Sequence, residues 1–405
     1  MSGQIEAIPG GVTAPRGFKA GTARGGLKKA GDDVALLVCE TEGSAAATFT
    51  TNPVAAAPVR WSRQVLERGR VRAAVVNSGN ANACTGERGL KDAEATARAA
   101  ARALGLEPDN FLVASTGILG HYLPMEKLLP AVEEAARRLD SSPEAGERFA
   151  RAIMTTDTVA KQAALRCQLP GGGVALGGAT KGAGMIAPRM ATTLTFLTTD
   201  AAVPRDLLHA MLRRAVERTY NRISVDNHTS TNDTVLCLAS GLGEAPAIVE
   251  GSEEADAFER ALTGLCRGLA LQIVADGEGA SRLVHIRVVG APSEEVAVAV
   301  GRAIADSPLC KCALHSGDPN WGRFVSAAGM ACRELDEART RLLIGDQVAY
   351  AFGQPADTAP EALAEAMSQR EITLTLELGL GDAEATVWTC DLSKEYVEIN
   401  ADYHT

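Results

Sequence analysis

Short apolar runs, separated by polar breaks that contain glycine, dominate the pattern along the chain. Val34–Cys39, Ala73–Val76, Phe111–Val113, Leu194–Leu197, Val235–Leu238, Val284–Val289, Ile372–Leu376 and Ala385–Thr389 have the length and the bounding turn residues of buried strands. Other segments repeat apolar positions three and four apart. That spacing predicts helices over Asp92–Leu104, Asp206–Tyr220, Glu254–Val274, Glu294–Ala305 and Pro360–Ser368. Gly105 stands where the first of these needs a left-handed cap. Ser142-Pro143-Glu144 offers an N-cap, a proline in the first turn and an acidic start, which predicts a helix running to about Met154. Strands and helices are mixed throughout, so the all-α and all-β classes are excluded and an α/β fold is expected. No internal repeat or low-complexity linker marks a domain edge.

Composition narrows the picture. The chain has 405 residues, 46% hydrophobic and 22% charged, enough to bury a large core in two or three domains or one two-lobed body. Aromatics are only 4%, so that core must rest on small and β-branched side chains. A net charge of −10 argues against a nucleic-acid partner, which wants a basic face. The start, MSGQIEAIPGG, lacks a positive segment leading into an apolar one, and no run approaches the ~20 apolar residues of a membrane span. A cytoplasmic location is expected. The nine cysteines are scattered, and Cys310 and Cys312 form C-x-C with no zinc-type partner, so thiols buried as small apolar residues are expected.

Chemistry tends to sit where polar, glycine-rich segments interrupt apolar runs. Six stand out: Asn77-Ser-Gly-Asn-Ala-Asn-Ala-Cys-Thr-Gly86, Ser115-Thr-Gly117, Thr155-Thr-Asp-Thr158, Thr180-Lys-Gly-Ala-Gly184 with Ala191-Thr-Thr193 beyond it, Ser230-Thr-Asn-Asp-Thr234, and Asp318-Pro-Asn-Trp-Gly-Arg323. Singly, each reads most simply as a turn or a capping segment. Gly177–Gly184 is not a phosphate loop, because glycine follows Lys181 where that motif needs Ser or Thr. No G-x-S-x-G elbow and no H-E-x-x-H occurs. One nucleophilic chemistry needs few parts. A threonine at a new chain end carries its hydroxyl beside its own α-amine, whose pKa of about 7.7–8.0 lets it accept a proton near neutrality. Pattern alone does not say which threonine would serve.

Lys181-Gly-Ala-Gly-Met-Ile-Ala-Pro-Arg-Met-Ala-Thr192, running on into Leu194-Thr-Phe-Leu-Thr-Thr-Asp200, closely resembles the self-cleavage region of the ornithine acetyltransferase family. The remaining segments follow that family's order and spacing, together with Gly11-Val-Thr-Ala-Pro-Arg-Gly-Phe18, Ala275-Asp-Gly-Glu-Gly279 and Tyr396-Val-Glu-Ile-Asn400. Thr193 departs from the pattern, since family members often carry Met after the nucleophile. The resemblance implies cleavage between Ala191 and Thr192. Thr192 would then be nucleophile and, through its amine, general base. Thr116 and Gly117 would stabilise the oxyanion, where losing one donor typically costs about 10²–10³ in rate. Thr155, Lys181, Thr192, Glu278, Asn400 and Thr405 would contact substrate, with Lys181 and Glu278 offering a cation and an anion to an amino acid. Read without the family, Lys181 is a solvated loop lysine and Glu278 an acid at a helix end. For Asp318–Arg323 and for the Asn77 cluster a structural turn in the pocket wall is the default expectation, with amides lining the oxyanion region as the alternative for the second. His404 is read as a surface residue.

The implied fold is layered, helix–sheet–sheet–helix, resembling N-terminal nucleophile enzymes. Cleavage would give interlocked pieces 1–191 and 192–405, assembled as two copies of each. The implied reaction moves an acetyl group from N2-acetylornithine to glutamate in arginine biosynthesis. No cofactor is implied, though acetyl-CoA is an alternative acetyl donor. Two rival readings are a self-processed aminopeptidase or amidase that hands the acyl group to water, and a non-catalytic amino-acid binder.

Overall fold

The structure, a computed structural model, describes residues 3–187 and 193–402. Three sheets organise it. A four-stranded sheet runs Phe18–Ala23, Val34–Cys39, Ala73–Asn80, Phe111–Ile118. A six-stranded sheet runs Ile5–Ile8, Lys161–Leu169, Gly172–Lys181, Leu194–Thr199, Thr234–Ala239, Ser44–Phe49. The first two sheets stack face to face. Side-chain alternation along a strand explains why their strands read as unbroken apolar runs. In Val34–Cys39, Ala35 and Leu37 join the core between the sheets, with Phe196, Leu236 and Leu238 from the six-stranded sheet. Val34, Leu36 and Val38 point the other way, into helices Gly86–Leu104 and Met125–Arg137. On the far face of the six-stranded sheet, Leu176, Leu197 and Val235 pack beneath helices Arg205–Glu217 and Glu253–Ala275. The helix–sheet–sheet–helix expectation therefore holds for this part of the chain.

A third sheet was not legible as a separate unit. Seven strands, ordered Ile223–Ser224, Ala383–Cys390, Leu283–Ala291, Glu371–Glu377, Arg341–Ile344, Gln347–Ala351, Gln354–Pro355, carry helices Glu294–Ala305, Pro308–Ser316, Trp321–Ala331 and Pro360–Ser368 over their own core. The opposite face is polar, with ion pairs His285–Glu371 and Arg287–Glu384 on it. The short strand Ile223–Ser224 and the Thr389 hydroxyl, which donates to the Ser224 carbonyl, join this unit to the rest.

Every predicted strand is present, most lengthened by a residue or more, and Ser142 caps the helix Pro143–Ala152 as read. Gly105 closes its helix at φ 64°. Strand Gly172–Lys181 escaped detection because its sequence, GGVALGGATK, has the composition of a loop. Helix Met125–Arg137 was hidden by its internal Pro130. Seven cysteines are buried as expected, while Cys84 and Cys312 are exposed. Among the described residues no helix is long and apolar enough to cross a membrane, and no His, Cys, Asp and Glu cluster could hold a metal ion.

Few aromatics hold the stacked sheets together. Phe149 and Phe196, both fully buried, meet edge to face with centroids 5.2 Å apart. Phe196→Ala should cost about 3–5 kcal/mol through lost burial and the cavity left behind. The check is the thermal unfolding midpoint, which should fall clearly below that of an exposed control such as Phe352→Ala.

Candidate active site

Sheet register decides what meets at the site. Lys181, last residue of its strand, pairs with Leu194, first residue of the next, and Thr180 pairs with Thr195. The connection between them therefore starts and ends at one place. It begins at Gly182 and returns at Thr193, whose N–H donates to the Asp233 carboxylate at 2.9 Å and whose carbonyl accepts from the Thr234 N–H. Ala191 and Thr192, the expected cleavage pair, lie outside the described residues, as do Thr405 and His404.

Lys181 is not the solvated loop lysine that its glycine-rich surroundings suggest. Only 3% of its surface is exposed, and it belongs to a strand. Its ammonium donates to the Thr116 hydroxyl at 3.1 Å. Burial pulls its pKa below the usual lysine value, Asp157 pulls it back up, and the nearby Lys161 adds to the depression. Asp157 is the counter-charge. One of its oxygens accepts from Lys161 Nζ at 2.7 Å and from the Gly182 N–H at 2.7 Å, and the other accepts from the Thr155 N–H at 2.9 Å. Burial favours the neutral acid, but the charges of Lys181 and Lys161 win and hold its pKa down to about 2. Lys161, fully buried, is shared with Asp276 at 2.5 Å. Asp276 also receives the Thr158 hydroxyl. Two expected motifs, Thr155–Thr158 and Ala275–Gly279, are thus pinned to each other through Lys161.

This network stands behind Lys181 and Thr155, which face a cavity of about 240 Å³. Thr116, Gly117, Thr155, Lys181, Glu278 and Asn400 all line it. Glu278 follows helix Glu253–Ala275, and its N–H donates to the Ala183 carbonyl. Its carboxylate lies so close to Gly184 that a Cβ there would sit 2.4 Å from Glu278 Cδ, so any larger residue at 184 would displace the carboxylate. Asn400 comes from the terminal helix Lys394–Asp402 and donates to Glu278 Oε2 at 2.8 Å. Gly117 has φ 129°, and a Cβ on it would lie 2.3 Å from the Gly79 carbonyl carbon. Glycine is required at 117, and the backbones of residues 79 and 117 touch because of it.

The Asn77 cluster plays the structural part of its default reading, not the alternative one at the oxyanion. Its amides do not face the cavity but hold the backbone around Thr116. Asn77 receives the Ser115 hydroxyl at 2.6 Å and donates to the Asn80 carbonyl, while Asn80 donates to the carbonyls of His121 and Tyr122. Asn232 bridges from the other side, donating to the Ala81 and Ser115 carbonyls at 2.7 and 2.8 Å. The Asp318–Arg323 segment does not line the cavity. Trp321 starts helix Trp321–Ala331 and stacks on Tyr350 at 5.1 Å, inside the seven-stranded unit.

Sequence reasoning missed Asp226, His228, Met185 and Tyr396 as lining residues. Asp226 accepts from the N–H groups of Met185, Ile186 and His228, and Tyr396 donates to it at 3.4 Å. Burial raises its pKa, the three N–H bonds oppose that rise, and the charge of Glu278 adds to it. Tyr396 stood in a recognised motif. Nothing in the composition around Asp226 marked it out.

A profile of the ArgJ family matches residues 19–405. The chain belongs to the ArgJ family. It is 46% identical over 404 residues to the arginine biosynthesis bifunctional protein ArgJ of Symbiobacterium thermophilum, covering 99% of this chain and 100% of that one. The ArgJ protein of Dehalococcoides mccartyi, with the same description, is 44% identical over 409 residues, covering 100% of both. One chain of a crystal structure of the ornithine acetyltransferase of Mycobacterium tuberculosis complexed with ornithine aligns with 46% of this chain and 98% of its own, at 43% identity and a TM-score of 0.43.

The Asp157 carboxylate gives a prediction with a definite sign. Its pKa is depressed, so the stability it supplies is present above about pH 4 and is lost as pH falls through about 2. Asp157→Asn leaves two buried lysines short of a counter-charge and should cost about 3–5 kcal/mol near neutral pH. The variant's unfolding midpoint should also vary less between pH 4 and 2 than that of the parent. Identical pH profiles for the two would contradict this account.

Proposed function

We propose that this ArgJ-family chain is a self-processing acetyltransferase that moves an acetyl group from N2-acetylornithine to glutamate in arginine biosynthesis, through an acetyl group carried on Thr192. One observation carries the reading: the six described positions expected to bind substrate or oxyanion come from five separate segments and wall a single cavity. Lys181 there offers a cation for the α-carboxylate common to both amino acids, and Glu278 an anion for an amine.

In this scheme the Thr192 hydroxyl oxygen attacks the acetyl carbonyl of acetylornithine, and its proton passes to the Thr192 α-amine. Lys181 donates into the Thr116 oxygen, which leaves the Thr116 hydroxyl hydrogen free to face the charge developing on the carbonyl oxygen, alongside Gly117. The carbon–nitrogen bond breaks, the α-amine proton goes to the departing nitrogen, and ornithine leaves. The amine of glutamate then attacks the ester, and Thr192 recovers its proton as N-acetylglutamate departs. Each half-reaction reuses the same groups, so no other cofactor is needed. Acetyl-CoA stands as an alternative acetyl donor to glutamate. The assembly proposed is two copies of each cleaved piece, in the cytoplasm. An amidase that passes the acyl group to water is separated by measuring ornithine release with and without glutamate.

The expected cut gives pieces of 191 and, by difference from 405, 214 residues. Intact mass should show both for the parent and one uncut chain for Thr192→Ala, which should be inactive. A C-terminal piece that begins at Thr193 would overturn the assignment. With acetylornithine alone, the piece that starts at Thr192 should gain one acetyl group and lose it when glutamate is added. Double-reciprocal plots should be parallel, whereas intersecting lines with no trapped adduct would indicate direct transfer between the two bound substrates.

A further inference from the structure

Asp233 is fully buried at the junction of three strands. Its Oδ1 accepts the Thr193 N–H at 2.9 Å, while Oδ2 is buried with no hydrogen-bond partner among the described residues. An unpaired carboxylate oxygen in the interior carries a desolvation cost that native structures rarely tolerate without a reason. The two backbone groups beside it are committed: the Thr50 N–H donates to the Asp233 carbonyl, and the Thr234 N–H to the Thr193 carbonyl. Asn232, next in the chain, is tied to the Ser115 carbonyl beside Thr116. The backbone around Asp233 therefore cannot shift to relieve the orphan oxygen. The motif Ser230-Thr-Asn-Asp-Thr234 has a polar residue at each position, yet only part of it reaches the cavity, through Ser230 and Asn232.

We infer that Asp233 is a positioning residue for Thr192: it fixes the peptide group on the C-terminal side of that threonine, and its second oxygen is the counter-charge for the Thr192 α-ammonium formed when the hydroxyl gives up its proton. This rests on the reading of Thr192 as nucleophile. Thr192 is one peptide unit from the anchored N–H, and the nitrogens of consecutive residues are only about 3–3.5 Å apart, so a carboxylate that grips one is within reach of the other. The groups facing Asp233 are few. The Thr193 N–H stands at the start of the neighbouring strand Leu194–Thr199, Lys181 ends the strand beyond it, and the Thr50 hydroxyl follows Ser44–Phe49 on the other side. Burial raises its pKa well above the usual carboxylate value, against these three influences. A nearby ammonium would relieve that cost, as Lys161 and Lys181 do for Asp157.

The test uses full-length Asp233→Asn and Asp233→Glu. The asparagine keeps an acceptor for the Thr193 N–H but cannot carry charge. It should unfold within a few degrees of the parent, cut itself at least about tenfold more slowly by intact mass, and show the acid limb of kcat/KM moved to lower pH by about one unit in the material that does cut, because the ammonium has lost its counter-charge. Asp233→Glu should recover part of the rate and move the limb back. Normal cutting with an unmoved limb in Asp233→Asn overturns the proposal. So does a large fall in unfolding midpoint that Asp233→Glu does not correct, since the carboxylate would then only support a strand end. Thr192→Ala run alongside keeps the two readings apart: if that variant is still cut, the nucleophile is wrong; if it stays whole while Asp233→Asn behaves as parent, only the role of Asp233 fails.

Discussion

Two lysine ammonium groups are buried beside the cavity, Lys181 in its wall and Lys161 behind it, and the Asp157 carboxylate answers both. An unpaired ammonium in the interior would shed its proton or force the structure open, so Lys161 and Lys181 are tolerable only where a carboxylate is held rigidly between them. Asp157 is held by backbone N–H groups on both sides, from Thr155 and from Gly182. It therefore joins the Thr155 loop to the point where strand Gly172–Lys181 ends. Through Lys161 and Asp276 the same network reaches the end of helix Glu253–Ala275, three residues before Glu278. Remove the central carboxylate and three of the segments that wall the cavity lose their common reference.

Strand order supplies the second constraint. Leu194–Thr199 is hydrogen-bonded on one side to Gly172–Lys181 and on the other to Thr234–Ala239, which in turn pairs with Ser44–Phe49. Strands from before position 192 thus flank the two from after it on both sides within one sheet. A broken peptide bond at that position would leave those ladders, and the apolar contacts above and below them, as they are. Cleavage in such a setting creates an amine without releasing the chain that bears it, which is the condition an N-terminal nucleophile needs.

How much of this was readable follows from what each feature leaves in sequence. The core strands were visible because both faces are buried, so no polar residue interrupts Val34–Cys39 or Thr234–Ala239. Gly172–Lys181 was invisible because close approach by neighbouring backbone and side chains has stripped it of bulky residues, leaving loop-like composition. Thr116, Gly117, Thr155, Lys181, Glu278 and Asn400 were named from the resemblance, not from periodicity. What could not be read was environment. Lys181 gave no sign that it was buried, because burial depends on Asp157 and Thr116 arriving from distant segments. Asp226 carried no local signal at all: its function is to accept N–H groups from a loop some forty residues earlier.

The terminal helix shows how a weak element can be placed by a strong site. Lys394–Asp402 is nine residues long and has no buried residue. A helix so short is marginal alone in water. What positions it is the preceding strand, ending at Cys390, and the Asp391 carboxylate, which accepts the N–H groups of Ser281 and Arg282 and the Ser281 hydroxyl. From that anchor two polar contacts fix the helix over the cavity, Tyr396 to Asp226 and Asn400 to Glu278. Both acceptors are cavity carboxylates, one raised in pKa by burial and by the charge of the other. The donors from the helix soften that repulsion, so the tail belongs to the electrostatics of the site and not merely to its outline. The seven-stranded unit thereby has a part in the chemistry although Asp318–Arg323 lies away from the cavity: its strand Ala383–Cys390 delivers the chain to Asp391, and Asp391 sets where Asn400 can reach.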